Sequence, residues 1–200
     1  MSFHTIEAES FAELEEKKSR FLAFLVPIAQ FDEKLSQLRA EHRKANHHVT
    51  AFRRMRGDDR IEEGAKDDGE PGGTSGMPVL KTLIGSNLVD AGIIVVRYFG
   101  GTKLGTGGLA RAYSGAASLA IAQAGLCAWH RMVRAKLESD FAGSSDLETR
   151  IQQAGVIVIE RIYSETGVEI EVEGPEARVN SLIGQQSDYA GDQILDGQSH

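Results

Sequence analysis

Cysteine occurs once, proline four times, and aromatic side chains make up only 6% of the 200 residues. The lone Cys127 excludes an internal disulfide and offers no metal-ligand spacing; beside Leu126, Ala128 and Trp129 it reads as a small buried hydrophobe. Long apolar runs are also missing. The longest, around residues 93–96, is far too short to cross a bilayer, and the first thirty residues mix Glu, Lys and Arg with no cleavable apolar stretch. A cytoplasmic protein with no membrane contact is expected. There is no internal repeat and no low-complexity tract. Basic residues fall short as well, 22 Lys+Arg against 29 Asp+Glu, for a formal charge of -7. The shortfall is local: residues 1–130 hold 16 of each sign, whereas residues 131–200 hold 6 basic and 13 acidic residues. A polyanion would therefore have to be met by the first part of the chain.

What is present suffices for a core. At 41% hydrophobic content, 200 residues support one large domain or two small ones. The pattern changes near residue 131, so the expected domains are 1–130 and 131–200. In the second, strands at 133–138, 156–164, 167–173 and near 193–195 alternate with helices at 144–154 and from Pro175, a β-α-β-β-α-β order of ferredoxin-like type. Within it Val168, Ile170 and Val172 alternate with Glu169, Glu171 and Glu173, which predicts one packed face and one acidic face that repels RNA unless a partner supplies cations.

The first domain mixes both element types, making the class α+β. Strand-like sequence runs over 13–26 and ends at Pro27. Asp32 is placed to cap a helix that reaches about Arg43 and carries Phe31, Leu35 and Leu38 on one side. A strand follows at 48–54, a polar loop at 57–76, a helix at 77–88, the clearest strand at 92–98, and an alanine-rich helix at 109–125 with a glycine C-cap.

Two loops attract chemistry. From Arg97 to Gly115 the sequence reads RYFGGTKLGTGGLARAYSG, with six glycines in nineteen residues between a strand and a helix. Such a turn lets backbone N–H groups converge on an anion at a helix N-terminus. The specific nucleotide codes nevertheless fail. Gly100 and Gly105 have the spacing of a phosphate-loop pair, but Thr106-Gly107 stands where Lys-Ser or Lys-Thr is required. Gly105-x-Gly107-x-x-Ala110 lacks the acidic residue about twenty positions on that would hold a ribose. Two readings stand: an anion-tolerant turn with Arg97, Lys103 and Arg111, or glycines chosen for positive φ and close helix packing. The second loop, Asp67-Asp68-Gly69-Glu70-Pro71-Gly72-Gly73-Thr74-Ser75-Gly76, holds three carboxylates that would either gather Mg²⁺ or form ordinary turns. No cofactor is expected, Mg²⁺ at Asp67, Asp68 and Glu70 being the alternative. Ser75 and Ser114 lack the setting of an activated nucleophile. His47 and His48, adjacent in a strand, point to opposite faces and cannot chelate one ion. Around them Arg39, Arg43, Lys44, Arg53, Arg54, Arg56 and Arg60 form the densest basic run, which reads as a solvated face because Asp58, Asp59, Glu62 and Glu63 accompany it.

Both loops closely resemble the YigZ/IMPACT family: Asp67-Asp68-Gly69-Glu70-Pro71 with Gly73-Thr74-Ser75-Gly76-x-Pro78, then Val95-Val96-Arg97-Tyr98-Phe99-Gly100-Gly101-Thr102-Lys103-Leu104-Gly105-x-Gly107-Gly108-Leu109-x-Arg111-Ala112-Tyr113. Lys17-Lys18-Ser19-Arg20-Phe21 and the His47-His48 segment match it as well. The resemblance implies an N-terminal domain with a left-handed β-α-β fold, shared with a ribosomal protein, domain IV of elongation factor G and GHMP kinases, and a C-terminal domain like domain V of elongation factor G. Eukaryotic relatives regulate translation through an added N-terminal RWD domain, for which these 200 residues leave no room. The carried expectation is a non-enzymatic, translation-linked binding protein whose partners are RNA, the ribosome or a translation factor, with a protein partner as a further option. Its contacts would be Arg20, His48, Arg97, Tyr98, Gly100, Gly101, Lys103, Gly105, Gly107, Gly108 and Arg111. Tyr98 and Phe99 would offer stacking, one of the two facing the core. The competing reading is an enzyme or small phosphate-ligand binder that uses the acidic loop with Mg²⁺ beside the glycine turn.

Overall fold

The computed structural model describes residues 2–192. The chain forms two compact units, one up to Trp129 and a second from His130. In chain order the first contains β1 (His4–Ile6), β2 (Ser10–Glu16), β3 (Ser19–Pro27), α1 (Phe31–Glu41), β4 (His47–Met55), β5 (Ile61–Lys66), α2 (Gly76–Gly85), β6 (Ala91–Tyr98), α3 (Gly105–Gln123) and β7 (Leu126–Ala128). Five strands make one sheet in the order β2-β3-β6-β4-β5, with every neighbouring pair antiparallel. Strands β3 and β4 both flank β6 and run parallel to each other, so β3-α1-β4 is a crossover with β6 inserted between its strands. Helix α1 packs on one face over Leu22, Val26, Ile94 and Val96. The other face carries α2 and α3, where Val79, Leu83, Tyr113, Ala116 and Ala117 meet Phe21, Ala23, Val49, Ile93 and Val95. Being buried on both faces explains why β6 reads as an unbroken apolar run rather than an alternating one.

Several elements depart from the sequence expectations. The stretch 13–26 is not one strand but parts of β2 and β3, joined by a tight turn in which Lys17 and Lys18 both take positive φ (48° and 66°), the backbone that a two-residue hairpin demands. The segment 57–76 is not all loop: β5 pairs with β4 along the sheet edge. Its polarity hid it, because an edge strand needs few apolar residues, and Gly64 is there because a Cβ would lie 2.3 Å from the Phe52 ring. Asp32 lies inside the first turn of α1 and Gln30 takes the cap position. Helix α2 ends at Gly85, short of the expected 88. Helix α3 starts four residues earlier than expected, at Gly105, and ends in an extended Ala124 rather than a glycine cap. Cys127 is only half-buried, in β7.

The second unit holds β8 (Met132–Asp140), α4 (Ser144–Ala154), β9 (Ile157–Tyr163), β10 (Gly167–Pro175) and α5 (Glu176–Asp192). Its antiparallel sheet has the order β8-β10-β9, and Val168, Ile170 and Val172 face a core with Leu137, Leu147, Ile151 and Leu182. The opposite face presents Glu169, Glu171 and Glu173, as alternation predicts. Their neighbours on β8 are cations, however: Lys136 Nζ donates to Glu169 at 2.8 Å and Arg134 lies 3.5 Å from Glu173. That face is therefore partly neutralised from within, by cations of its own sheet rather than of a partner. The strand expected near 193–195 lies outside the described residues. The class is α+β in two domains. No helix among the described residues is long and apolar enough to cross a membrane.

Candidate functional site

The acidic loop between β5 and α2 is held by its own carboxylates. Asp67 accepts four hydrogen bonds, from the backbone N–H groups of Gly73 (2.7 Å), Ser75 (3.1 Å) and Gly76 (2.8 Å) and from the Ser75 hydroxyl (2.6 Å). It thereby caps α2 from nine residues before Gly76, in place of the N-cap side chain, which makes no such bond. Burial alone would raise its pKa, but the bonds to the ionised form prevail and hold the carboxyl below the usual carboxylate range. Asp68 turns elsewhere, accepting the His48 backbone N–H at 2.7 Å and facing Arg39 at 3.3 Å. Glu70 points into the core, where one oxygen meets Arg97 Nη1 at 2.5 Å and the Tyr113 hydroxyl at 2.7 Å. Because the three carboxylates diverge onto separate partners, they do not fit Mg²⁺, and no trio of His, Cys, Asp or Glu among the described residues is placed to hold a metal. Ser75 is fully buried and Ser114 donates to the Ala110 carbonyl at 2.8 Å, so neither hydroxyl is presented as a nucleophile.

Several expected contact residues are withdrawn from solvent. Arg97 is only 5% exposed; its guanidinium sits 5.4 Å from the Phe21 ring centroid and 5.6 Å from that of Phe99, and it pairs with Glu70. It ties β6 to the acidic loop and is not open to a phosphate. Tyr113 closes the same cluster from α3, edge-on to Phe21 at 5.0 Å, and burial together with the Glu70 bond pushes its phenol pKa up. His48 is buried beneath α1, and burial pulls its pKa below the ordinary imidazole value. Its neighbour His47, on the opposite side of the strand, hydrogen-bonds the Asp68 carbonyl at 2.8 Å. Tyr98 is half-buried with its hydroxyl 2.8 Å from His42 Nδ1, while Phe99 is the exposed member of the aromatic pair. Arg20 is exposed but held by Glu13 at 2.7 Å. The basic run is largely neutralised, as its acidic companions suggest: Arg53 with Glu63, Arg54 and Arg56 with Glu62, Arg60 with Asp58.

The glycine turn serves two purposes. Gly100 is a packing residue, because a Cβ there would lie 2.0 Å from the Lys18 carbonyl carbon of the β2–β3 turn. Gly101 and Gly105 instead supply positive φ, at 87° and 72°. Beyond them α3 opens with exposed Gly105, Thr106 and Gly107, followed by a half-buried Gly108, and has neither a side-chain cap nor an acidic residue in its first turn. Lys103 stands exposed just before it. Arg111 folds back so that its Nη1 would be 3.5 Å from a Cβ at Gly107. Neither Lys103 nor Arg111 forms an ion pair among the described residues, and the same holds for Lys17, Lys18 and Lys81. Lys81 was not singled out by sequence. Nothing in α2 marks it until the fold lays α2 against α3.

Comparison with known proteins agrees with this architecture. Residues 17–121, from the Lys17 turn through most of α3, match the Impact N-terminal domain. The chain is 33% identical over 177 residues to the IMPACT family member YigZ of Escherichia coli (strain K12), covering 87% of this chain and 86% of that protein. It is 31% identical over 184 residues to the IMPACT family member YvyE of Bacillus subtilis (strain 168), covering 90% and 83%. A crystal structure of a hypothetical protein superposes with a TM-score of 0.67 at 32% identity, covering 94% of this chain and 92% of that one. The match spans both the acidic loop that Asp67 and Glu70 anchor and the glycine turn that opens α3, and with it the chain is shown to belong to the IMPACT family.

Proposed function

We propose that this chain is a non-enzymatic, translation-linked binding protein whose first unit contacts RNA phosphates at the glycine turn. The observation that carries the reading is the exposed pair Lys103 and Arg111, without an ion pair among the described residues, at an α3 start that has no side-chain cap and no acidic residue in its first turn. Two cations and the positive end of a helix dipole repel one another, and a phosphate relieves that repulsion while accepting the free N–H groups. Phosphate contacts supply affinity without reading sequence. Exposed Phe99, two residues before the positive-φ Gly101, offers a face for an unpaired base. Translation enters through the family resemblance, and the RNA contact rests on this cationic turn. Arg97, His48 and Tyr98 act behind the surface by fixing the strand and loop that present it.

Fluorescence anisotropy tests this with a structured ribosomal RNA fragment and a single-stranded RNA at low and moderate salt. Wild type is expected to bind in a salt-sensitive manner and Lys103→Glu to lose binding, whereas Lys136→Glu in the second unit retains it. Absence of binding by wild type to either RNA at both salt concentrations would sink the proposal.

A further inference from the structure

The helical layer of the first unit carries a groove that the glycine turn does not account for. It is a shallow, open depression of about 570 Å³ between α2 and α3, bordered by Lys81, Thr82 and Gly85 on one helix and by Arg111, Ser114 and Ser118 on the other. No carboxylate lines it. Lys81 and Arg111 are both exposed and make no ion pair among the described residues, so two like charges share one concavity without a counter-charge. On the β4–β5 edge of this unit, by contrast, Arg53, Arg54, Arg56 and Arg60 are each matched by a nearby carboxylate. The groove has no such match among the described residues.

Its floor and rim narrow the chemistry further. Ala110, Ser114 and Ser118 recur every four residues on α3, so the floor is low enough for a chain backbone to approach. The hydroxyls of Thr82 and Ser114 donate to their own helix carbonyls, at 3.0 Å and 2.8 Å, which leaves Lys81 and Arg111 as the strong donors. Exposed Met77 and Ile84 on α2 and Leu119 on α3 provide apolar surface on the same two helices. Arg111 belongs to both features, since it lines the groove and lies against Gly107 at the glycine turn. Arg111 thus links the groove, which it shares with Lys81, to the helix start that Lys103 precedes.

We propose that this groove carries the sugar–phosphate backbone of single-stranded RNA onward from the glycine turn, with Lys81 and Arg111 on phosphates and the exposed Met77, Ile84 and Leu119 of the same two helices offered to unstacked bases. A single strand fits these observations because its bases are free to lie on aliphatic side chains while its phosphates meet the two cations of the groove. The inference rests on the RNA reading above, and Lys81 separates the two because it lies on α2, away from the turn.

The test is anisotropy with a labelled oligouridylate and a labelled RNA duplex across a salt series, using the full chain as wild type, Lys81→Glu, Lys103→Glu and Lys44→Glu. Circular dichroism verifies that each variant is folded, and the exposure of all three positions favours this. If the groove holds one phosphate through Lys81, Lys81→Glu weakens oligouridylate binding and lowers the slope of log K against log salt by about 0.7. Lys44→Glu behaves as wild type. Unchanged binding by Lys81→Glu beside a loss in Lys103→Glu overturns the groove and leaves the glycine-turn reading intact. No binding by wild type removes both. Equal Lys81 dependence for the duplex overturns the single-strand assignment, and displacement of oligouridylate by poly-glutamate at matched charge, lost in Lys81→Glu, reassigns the groove to acidic protein segments.

Discussion

The helical side of the first unit and the outer sheet face of the second carry opposite charge, yet they differ more in pairing than in sign. Glu169, Glu171 and Glu173 form an acidic row, but Lys136 and Arg134 from the adjacent strand sit within ion-pair distance of them. Lys103, Arg111 and Lys81 have no such neighbours among the described residues. A row of charge answered on its own sheet is a stable solvated surface, whereas charge left unanswered in a groove or at a helix start is available to a partner. A third arrangement lies under the first, where Arg97 and Glu70 pair out of solvent and hold the acidic loop against α3. Net charge by segment distinguishes none of these.

That contrast can be broken in graded steps. The largest effect is expected from Glu70→Ala, which leaves Arg97 buried and unpaired at a cost of about 3–5 kcal/mol. Glu169→Ala removes an exposed pair and should cost no more than about 1 kcal/mol. Urea unfolding of the two variants measures the difference, and equal destabilisation would show that the buried pair is not a special anchor. An intermediate effect is expected at the glycine turn, where Gly100→Ala must displace the Lys18 backbone, at about 1–3 kcal/mol of the kind seen on overpacking. Because Gly100 lies three residues before Lys103 in the same turn, this variant should lose RNA affinity together with stability, unlike Lys103→Glu.

The smallest effect is one of pH. Burial depresses the pKa of His48 in the folded protein, so below an unfolded value of about 6.5 the unfolded chain binds the proton more readily. The contribution of neutral His48 is fully present above that value and is lost as pH falls through the folded pKa. A His48→Gln variant should therefore show a flatter decline in melting temperature below neutral pH than wild type. An unchanged decline would assign the acid sensitivity to other groups. Asp67 acts in the same direction at lower pH, since its depressed carboxyl pKa contributes stability that is lost as pH falls into the acid range.

How much of this was legible in sequence depends on how local each cause is. The alternation of Val168 to Glu173, the unbroken run in β6 and the helix at 144–154 follow from side-chain period and length, and the structure reproduces them. The two family motifs were readable by their letters, although not what those letters do. Strand β5 escaped because an edge position tolerates Glu and Lys, and Gly64 makes sense only once Phe52 is known to cross it. Asp67, Asp68 and Glu70 look like a metal cluster in one dimension, since adjacency in the chain says nothing about direction.

Sequence alone therefore determined the α+β class, the family, the apolar faces and the presence of a glycine-rich turn before a helix, all of which depend on neighbours within a few residues. Only the tertiary structure decided which charges are free. Arg97 is spent on a partner 27 residues away, whereas Lys81 and Arg111, 30 positions apart, share a groove without a counter-charge. Ion pairing falls off over a few ångströms and depends on burial, and neither distance nor burial exists until the sheet and its helices have packed.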